Sequence, residues 1–152
     1  MLRYYWEDFQ VGWCYESDAR ALSAQEIVAF ARAYDPQAYH TDAETARMTP
    51  FGGLIASGWH TCAIAMRLMC DGYLLESSCI GSPGIEALRW LRPVRPGDAL
   101  RLRSTVLEQT PSQSTPTRGT VKFTWDVLNQ NREVVCTMVG RQHFARRQPA
   151  TT

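Results

Sequence analysis

Long apolar runs and an excess of either charge are missing from this 152-residue chain. No stretch approaches the roughly 18 uncharged apolar residues that a membrane-spanning helix needs, so we expect no membrane partner. The 16 basic residues nearly balance the 15 acidic ones, for a net charge of +1. A chain without a strong positive electrostatic field is not expected to bind nucleic acid. Hydrophobic residues make up 45% and charged residues 20% of the chain, which excludes disorder as its main state.

Paired cysteines are also missing. The five cysteines make an odd number, and no two of them have Cys-x-x-Cys spacing, which argues against a disulfide scaffold. Because the start of the chain does not resemble a secretory signal peptide, we expect free thiols and a cytoplasmic location. His60 and Cys62 have no further ligands nearby in sequence, so we expect no metal site. The apolar helical surroundings of Cys62 should raise its thiol pKa and make it a poor nucleophile.

The first half of the chain contains helix signals. Ser23 and Glu26 have the spacing of a capping box, and apolar residues follow at helical intervals. Pro36 disfavours helical backbone at Asp35, which predicts that this helix ends there and that a loop leads to His40. A second, short helix is predicted from a capping sequence over residues 41–44 to about Arg47.

A third helix, predicted from Gly58 to Asp71, is apolar on nearly every face. At this length it is too short to cross a bilayer, so it should be buried in the core, with Gly72 ending it. The second half alternates apolar and polar residues, as half-buried strands do. Strands are predicted near 13–21 and at 84–92, 99–107, 119–128 and 133–144. The predicted fold is α+β: one domain over 1–147 whose antiparallel sheet wraps the buried helix. We expect the chain to fray from Arg146, with 148–152 as a flexible tail.

Asp35 and His40 are the first candidate catalytic residues. A carboxylate and an imidazole can divide proton transfer between them, and the Asp-Pro turn could bring both into one cleft. The spacing alone is weak, because Asp35 could equally end a helix and His40 precede the next one.

The second candidate element is the glycine-containing segment from Gly52 to Gly58, which ends where the buried helix begins. The first amides of a helix have no internal partners, so the Gly58 amide could stabilise an oxyanion. The alternative is that these glycines only allow a tight loop against the sheet.

Four segments together resemble the MaoC-like dehydratases, relatives of the (R)-specific enoyl-CoA hydratases. They are residues 30–42, with Asp35 and His40 in a pattern similar to Asp-x-Asn-Pro-x-His-x-Asp, then 50–60, 88–98 and the final Gly140-Arg141. The resemblance follows the chain in order and implies the hot-dog fold, a curled antiparallel sheet around one helix. That architecture agrees with the α+β fold predicted above.

The resemblance implies a hydro-lyase that acts on an enoyl- or 3-hydroxyacyl-thioester, with coenzyme A as part of the substrate and no separate cofactor. The substrate carbonyl would accept a hydrogen bond from the Gly58 amide. His40 would take the proton from water, and Asp35 would orient the water and supply the proton to C2, although the two residues could share these roles. The same resemblance implies substrate contacts for Gln37, Gly53, Ser57 and Trp59, with Ser57 either orienting Asp35 or lining the loop.

The sequence departs from the family pattern where Gln37 replaces Asn and Ala38 replaces Pro. These changes and the bulk of Trp59 bear on the substrate more than on the fold. Two alternatives therefore stay open: a hot-dog acyl-CoA thioesterase and a non-catalytic acyl-CoA-binding subunit. The resemblance also implies a homodimer or a larger assembly of dimers.

Overall fold

The computed structural model describes residues 1–147, and these form a curled antiparallel sheet around one long helix. The strand order is β1-β4-β5-β6-β3, and the short β2 pairs with the first two residues of β4. In chain order the elements are a 3-10 turn (Trp6–Asp8), β1 (Cys14–Glu16), β2 (Arg20–Ala21), α1 (Ala24–Tyr34), α2 (Ala38–Thr41), α3 (Ala43–Arg47), α4 (Gly58–Met69), a π-helical turn (Cys70–Leu74), β3 (Cys79–Trp90), β4 (Ala99–Pro111), β5 (Arg118–Leu128) and β6 (Val134–Ala145).

The core lies between α4 and the concave face of the sheet. Strands β4 and β5 alternate inward and outward side chains as their sequences predict, with Leu102 and Phe123 fully buried. Helix α4 packs Ile64, Ala65 and Leu68 into the same core. The predicted α+β hot-dog architecture is confirmed. In the described part of the chain, no helix has the length and apolar character needed to cross a bilayer.

Helix α1 begins and ends where the sequence predicts. The Ser23 hydroxyl accepts the Glu26 amide at 3.1 Å, and the Glu26 carboxylate accepts the Ser23 amide at 3.0 Å. The predicted loop before His40 is wrong, because residues 38–41 form the helical turn α2. The next helix is capped by Asp42, whose carboxylate accepts the Glu44 amide at 2.9 Å. His40 therefore lies on a short helix directly before the Asp42 cap of α3.

The chain departs from the predicted end of α4. Gly72 does not end the helix, which continues through the π-helical turn Cys70–Leu74. A Cβ at Gly72 would lie 2.3 Å from the Tyr15 ring, so glycine is required here for close packing and not as a cap. The predicted strand at 13–21 is two short strands, because the Ser17 hydroxyl accepts the Leu102 amide at 2.9 Å and interrupts the backbone ladder.

Strand β3 also differs from the prediction, since it starts at Cys79 and not near residue 84. Gly81 and Gly84 adopt φ values of 128° and 141°, and the pairing with β6 shifts register at both. These bulges let β3 stay paired with β6 although its sequence lacks regular alternation there.

The prediction that the chain frays from Arg146 is wrong for Arg146 and Arg147, because both side chains are anchored. The Arg147 guanidinium lies 2.8 Å from the Asp8 carboxylate, and the Arg146 guanidinium stacks 4.5 Å above the Trp6 ring. The predicted flexible tail, 148–152, lies outside the described residues.

Candidate active site

Asp35 and His40 lie side by side, although they belong to different elements. Asp35 is the residue that ends α1, and His40 lies in α2. The Asp35 Oδ2 atom is 3.3 Å from His40 Nε2, with side-chain exposures of 17% and 6%. The Asp-Pro turn therefore joins a partly buried carboxylate and a buried imidazole at the edge of one cavity.

The other ring nitrogen of His40 fixes the orientation of its imidazole. His40 Nδ1 lies 2.7 Å from the carbonyl oxygen of Ile55. Because a carbonyl oxygen only accepts, Nδ1 carries the proton and donates it. In the neutral ring, Nε2 is then the unprotonated nitrogen and faces Asp35. It can act as a base toward a ligand in the same corner.

Two side chains donate hydrogen bonds to the Asp35 carboxylate. Ser57 Oγ donates to Oδ2 at 2.6 Å, and Gln37 Nε2 donates to Oδ1 at 2.7 Å. These bonds, that of Ser57 first, hold the pKa of the Asp35 carboxyl below its usual range, with a smaller contribution from His40. Asp35 is therefore ionised at neutral pH.

The amino-terminal end of α4 opens beside this pair. Ser57 is the N-cap residue, but its hydroxyl makes no capping hydrogen bond because it is bonded to Asp35. The Ser57 carbonyl accepts the amides of His60 and Thr61, at 3.0 and 3.1 Å. The two amides before them, at Gly58 and Trp59, lie in the first turn, where a helix has no internal acceptor to offer. They are suited to a ligand oxygen.

The Trp90 indole lies against Gly58. A Cβ at Gly58 would be 2.3 Å from Trp90 Cε2, so only glycine permits this contact. Trp90 in turn packs edge to face on Trp59, with ring centroids 5.2 Å apart. The two tryptophans frame the opening above the helix end.

A cavity of about 470 Å³ joins these features. Its polar side contains Asp35, Gln37 and His40, and its floor contains buried apolar side chains such as Val94 and Val135. A polar corner next to an apolar chamber suits an acyl group with one reactive polar end.

The structure brings most of the predicted site residues together. Asp35, Gln37, His40, Gly58 and Trp59 all line the cavity. Two other predicted substrate contacts lie elsewhere. Ser57 is fully buried, outside the cavity lining, and its hydroxyl donates to Asp35 Oδ2. Gly53 lies apart from the wall, where its nearest neighbour is the Arg95 guanidinium at 3.7 Å.

Sequence reasoning missed Tyr39 and Trp90, which also line the cavity. Tyr39 stands between Gln37 and His40 in the motif itself. The sequence therefore places it near the site, but it does not show that its side chain lines the cavity. Trp90 is 32 positions from Gly58 in the sequence, and no local pattern relates the two.

The remaining histidines and cysteines lie outside the site or behind its wall. His60 stacks on Phe30 with ring centroids 4.4 Å apart, and His143 bonds to Thr120 at 2.9 Å, as expected of structural residues. Within residues 1–147, no cluster of three or more metal-ligating side chains occurs.

The expectation for Cys62 is wrong in direction. The pKa of the Cys62 thiol is lowered, because its interaction with the neighbouring Cys136 thiol outweighs the effect of burial.

The comparisons with known proteins agree with this architecture. A family described as "MaoC like domain" matches residues 10–126. The crystal structure of a MaoC-like dehydratase from Rhodospirillum rubrum is 44% identical, with a TM-score of 0.89 over 96% of this chain and 99% of that one. The 3-hydroxyacyl-thioester dehydratase Z of Mycobacterium tuberculosis is 30% identical over 114 residues, 74% of this chain and 76% of the relative. The (R)-hydratase PhaJ1 of Pseudomonas aeruginosa, 22% identical with a TM-score of 0.73 over 97% of this chain and 93% of that one, shares the fold. The chain belongs to the MaoC-like dehydratase family.

Proposed function

We propose that this protein adds water to, or removes it from, an enoyl- or 3-hydroxyacyl-thioester, with coenzyme A as the thiol part. The observation that carries the proposal is the contact of Asp35 with His40 beside the uncapped start of α4. The activity in the name of the mycobacterial relative, a 3-hydroxyacyl-thioester dehydratase, supports it. The family and the apolar chamber of the cavity point in the same direction.

In the hydration direction, a water molecule hydrogen-bonds to both His40 Nε2 and the Asp35 carboxylate. Nε2 takes one proton from this water as its oxygen attacks C3 of the enoyl group. The electrons of the double bond move onto the thioester, which becomes an enolate. The same proton then passes from the imidazolium to C2, so that one water is added across the double bond and both side chains return to their starting states.

This scheme assigns different roles to the two side chains from those first expected. Asp35 accepts two hydrogen bonds and is held ionised, so it has no proton of its own to give to C2. Its role is to orient the water and to stabilise the imidazolium that forms beside it. The proton donor to C2 is then His40.

The enolate oxygen is stabilised by the start of α4. The Gly58 amide is not capped by Ser57, and the positive end of the helix dipole lies there. An oriented donor of this kind stabilises developing negative charge without a metal ion. The Trp90 indole fills the space beside the Gly58 Cα, so the thioester would reach the amide from the cavity that Gly58 lines.

We also propose that the working form is a homodimer joined through β3. This strand ends the sheet, and β6 is its partner on one side. Its free edge and the neighbouring surface expose large apolar side chains: Ile80, Ile85, Trp90 and Leu91. An exposed apolar edge strand tends to pair with a strand of another chain. Light scattering should give at least twice the 17.2 kDa subunit mass, and a clean monomer would contradict this assembly.

One incubation with crotonyl-CoA tests the proposed activity. Loss of the conjugated enoyl absorbance reports hydration, and release of free thiol reports thioester hydrolysis. We expect absorbance loss without thiol release, and loss of this activity in Asp35→Asn. Thiol release that depends on Asp35 would place the protein among the thioesterases. Binding of acyl-CoA in a thermal-shift assay without either signal would favour the non-catalytic alternative.

A further inference from the structure

Gln37 is one of two donors to the catalytic carboxylate, yet its side chain is exposed and has three rotatable bonds. An ionised carboxylate accepts hydrogen bonds only. Gln37 must therefore present its Nε2 hydrogens to Asp35 and point its carbonyl oxygen away. A flipped amide would place that oxygen against the carboxylate and remove the bond.

The Tyr39 hydroxyl supplies the contact that holds this orientation. It donates a hydrogen bond to Gln37 Oε1, while Gln37 Nε2 donates to Asp35 Oδ1 at 2.7 Å. The three side chains form one directed chain of hydrogen bonds, in which donation to the amide oxygen strengthens donation by its nitrogen. With Oδ1 occupied in this way, Oδ2 is the oxygen that faces Ser57 and His40.

Tyr39 is itself a fixed anchor. Its ring packs edge to face on His40, with centroids 4.4 Å apart, and lies 5.6 Å from the Phe51 ring. Its carbonyl oxygen accepts the Ile55 amide at 3.2 Å, and the Ile55 carbonyl in turn orients His40. One residue therefore contacts the histidine through its ring and the aspartate through Gln37. Ala38 lies between Gln37 and Tyr39 in this chain. The backbone there therefore lacks the rigidity that a proline would give.

We propose that Tyr39 is a positioning residue, which fixes the Gln37 amide and through it the Asp35 carboxylate. Its hydroxyl takes no proton in the reaction and touches no reacting atom. The catalytic consequence of this positioning rests on the proposed hydration activity, whereas the positioning itself can be observed without substrate.

Tyr39→Phe removes the hydroxyl and keeps the ring. We expect kcat for crotonyl-CoA hydration to fall about threefold to tenfold, the range that one hydrogen bond supports, with less than about a twofold change in KM. The NMR signals of the Gln37 side-chain amide should show at least about threefold faster hydrogen exchange with water, because an amide held at both ends exchanges slowly. Tyr34→Phe is the matched control, since it removes an exposed hydroxyl on α1 and should change neither quantity.

A double-mutant cycle separates this role from a merely structural one. In a Gln37→Met background, which keeps the side-chain length without hydrogen bonds, Tyr39→Phe should no longer lower kcat. An equal loss of kcat in both backgrounds would overturn the proposal, as would unchanged amide exchange in Tyr39→Phe. Slow exchange of the Gln37 amide in a wild-type protein that hydrates no crotonyl-CoA would contradict the proposed function and leave the positioning intact.

Discussion

Ser57 Oγ donates a 2.6 Å hydrogen bond to Asp35 Oδ2 from the N-cap position of the central helix. A serine at this position ordinarily satisfies a helix amide. Here the hydroxyl serves the carboxylate instead, and the first amides of α4 stay free for a ligand. Ser57 therefore contacts the carboxylate of the candidate catalytic pair and also leaves the first amides of α4 uncapped, which links that pair to the helix.

The first prediction concerns this serine. Ser57→Ala should lower the free energy of unfolding by about 1.5–3 kcal/mol, because a buried bond to a charged group is lost. It should reduce kcat by about tenfold or more, since the carboxylate loses its orientation. Urea unfolding and crotonyl-CoA kinetics measure the two effects.

Ser23→Ala is the control for that experiment. It removes a true capping box and should cost about 1 kcal/mol of stability with kcat unchanged. If Ser57→Ala behaves like Ser23→Ala, with a stability loss alone, then Ser57 does not orient Asp35.

The contact of Trp90 with Gly58 gives a second prediction. Gly58→Ala would place a Cβ 2.3 Å from the indole, and we expect a loss of about 1–3 kcal/mol from overpacking. In a Trp90→Ala background the same substitution should cost less than about 1 kcal/mol, because the clashing ring is gone. Gly53→Ala serves as the control for stability only, because its Cβ would lie 3.7 Å from the nearest atom and would not clash. Equal costs of Gly58→Ala in both backgrounds would contradict the described contact.

His60 gives a third prediction, on the dependence of stability on pH. Burial lowers the pKa of His60 from its ordinary value of 6.5 in the folded protein. A histidine of this kind is kept neutral by the fold, so its favourable contribution is fully present above about pH 6.5 and decreases as the pH falls below that value. Thermal unfolding between about pH 8 and pH 5 should show this loss.

His60→Gln should flatten that acid slope, because no group at this position then gains a proton. His143→Gln serves as the control, since His143 bonds to Thr120 on the sheet. A slope that is unchanged by His60→Gln would assign the acid sensitivity to another group.

The free edge of β3 gives a fourth prediction. Ile85 is 52% exposed on this strand, and Ile85→Lys should convert the proposed homodimer into a monomer because a charge on the edge strand opposes pairing. Val11→Lys, which also places a lysine at an exposed apolar position, should leave the mass unchanged. Light scattering reads both variants. A dimer that survives Ile85→Lys would place the interface elsewhere.

Local sequence patterns were enough to predict the frame of the fold. The Ser23 capping box, the apolar helix from Gly58 and the alternation in β4 and β5 each depend on neighbouring residues, and each occurs as predicted. Contacts between distant residues explain what was missed. The Tyr15 ring packs against Gly72 inside the π-helical turn that continues the helix, and Trp90 reaches Gly58 from β3.

The candidate site was predicted only in part for the same reason. The motif names Asp35 and His40, but their approach depends on the α2 turn and on the Ile55 carbonyl that holds the imidazole. The contacts of Ser57 and Gln37 to the two carboxylate oxygens depend on side-chain rotamers. Motif spacing carries no information on those rotamers.

Incubation with crotonyl-CoA in water labelled with heavy oxygen tests the central claim most directly. Mass spectrometry then shows which product carries the label. We expect one labelled oxygen in a 3-hydroxybutyryl group still attached to coenzyme A, and no such product from Asp35→Asn or His40→Gln. Label in free crotonate, or undiminished hydration by either variant, would contradict the assignment of Asp35 and His40 as a water-adding pair.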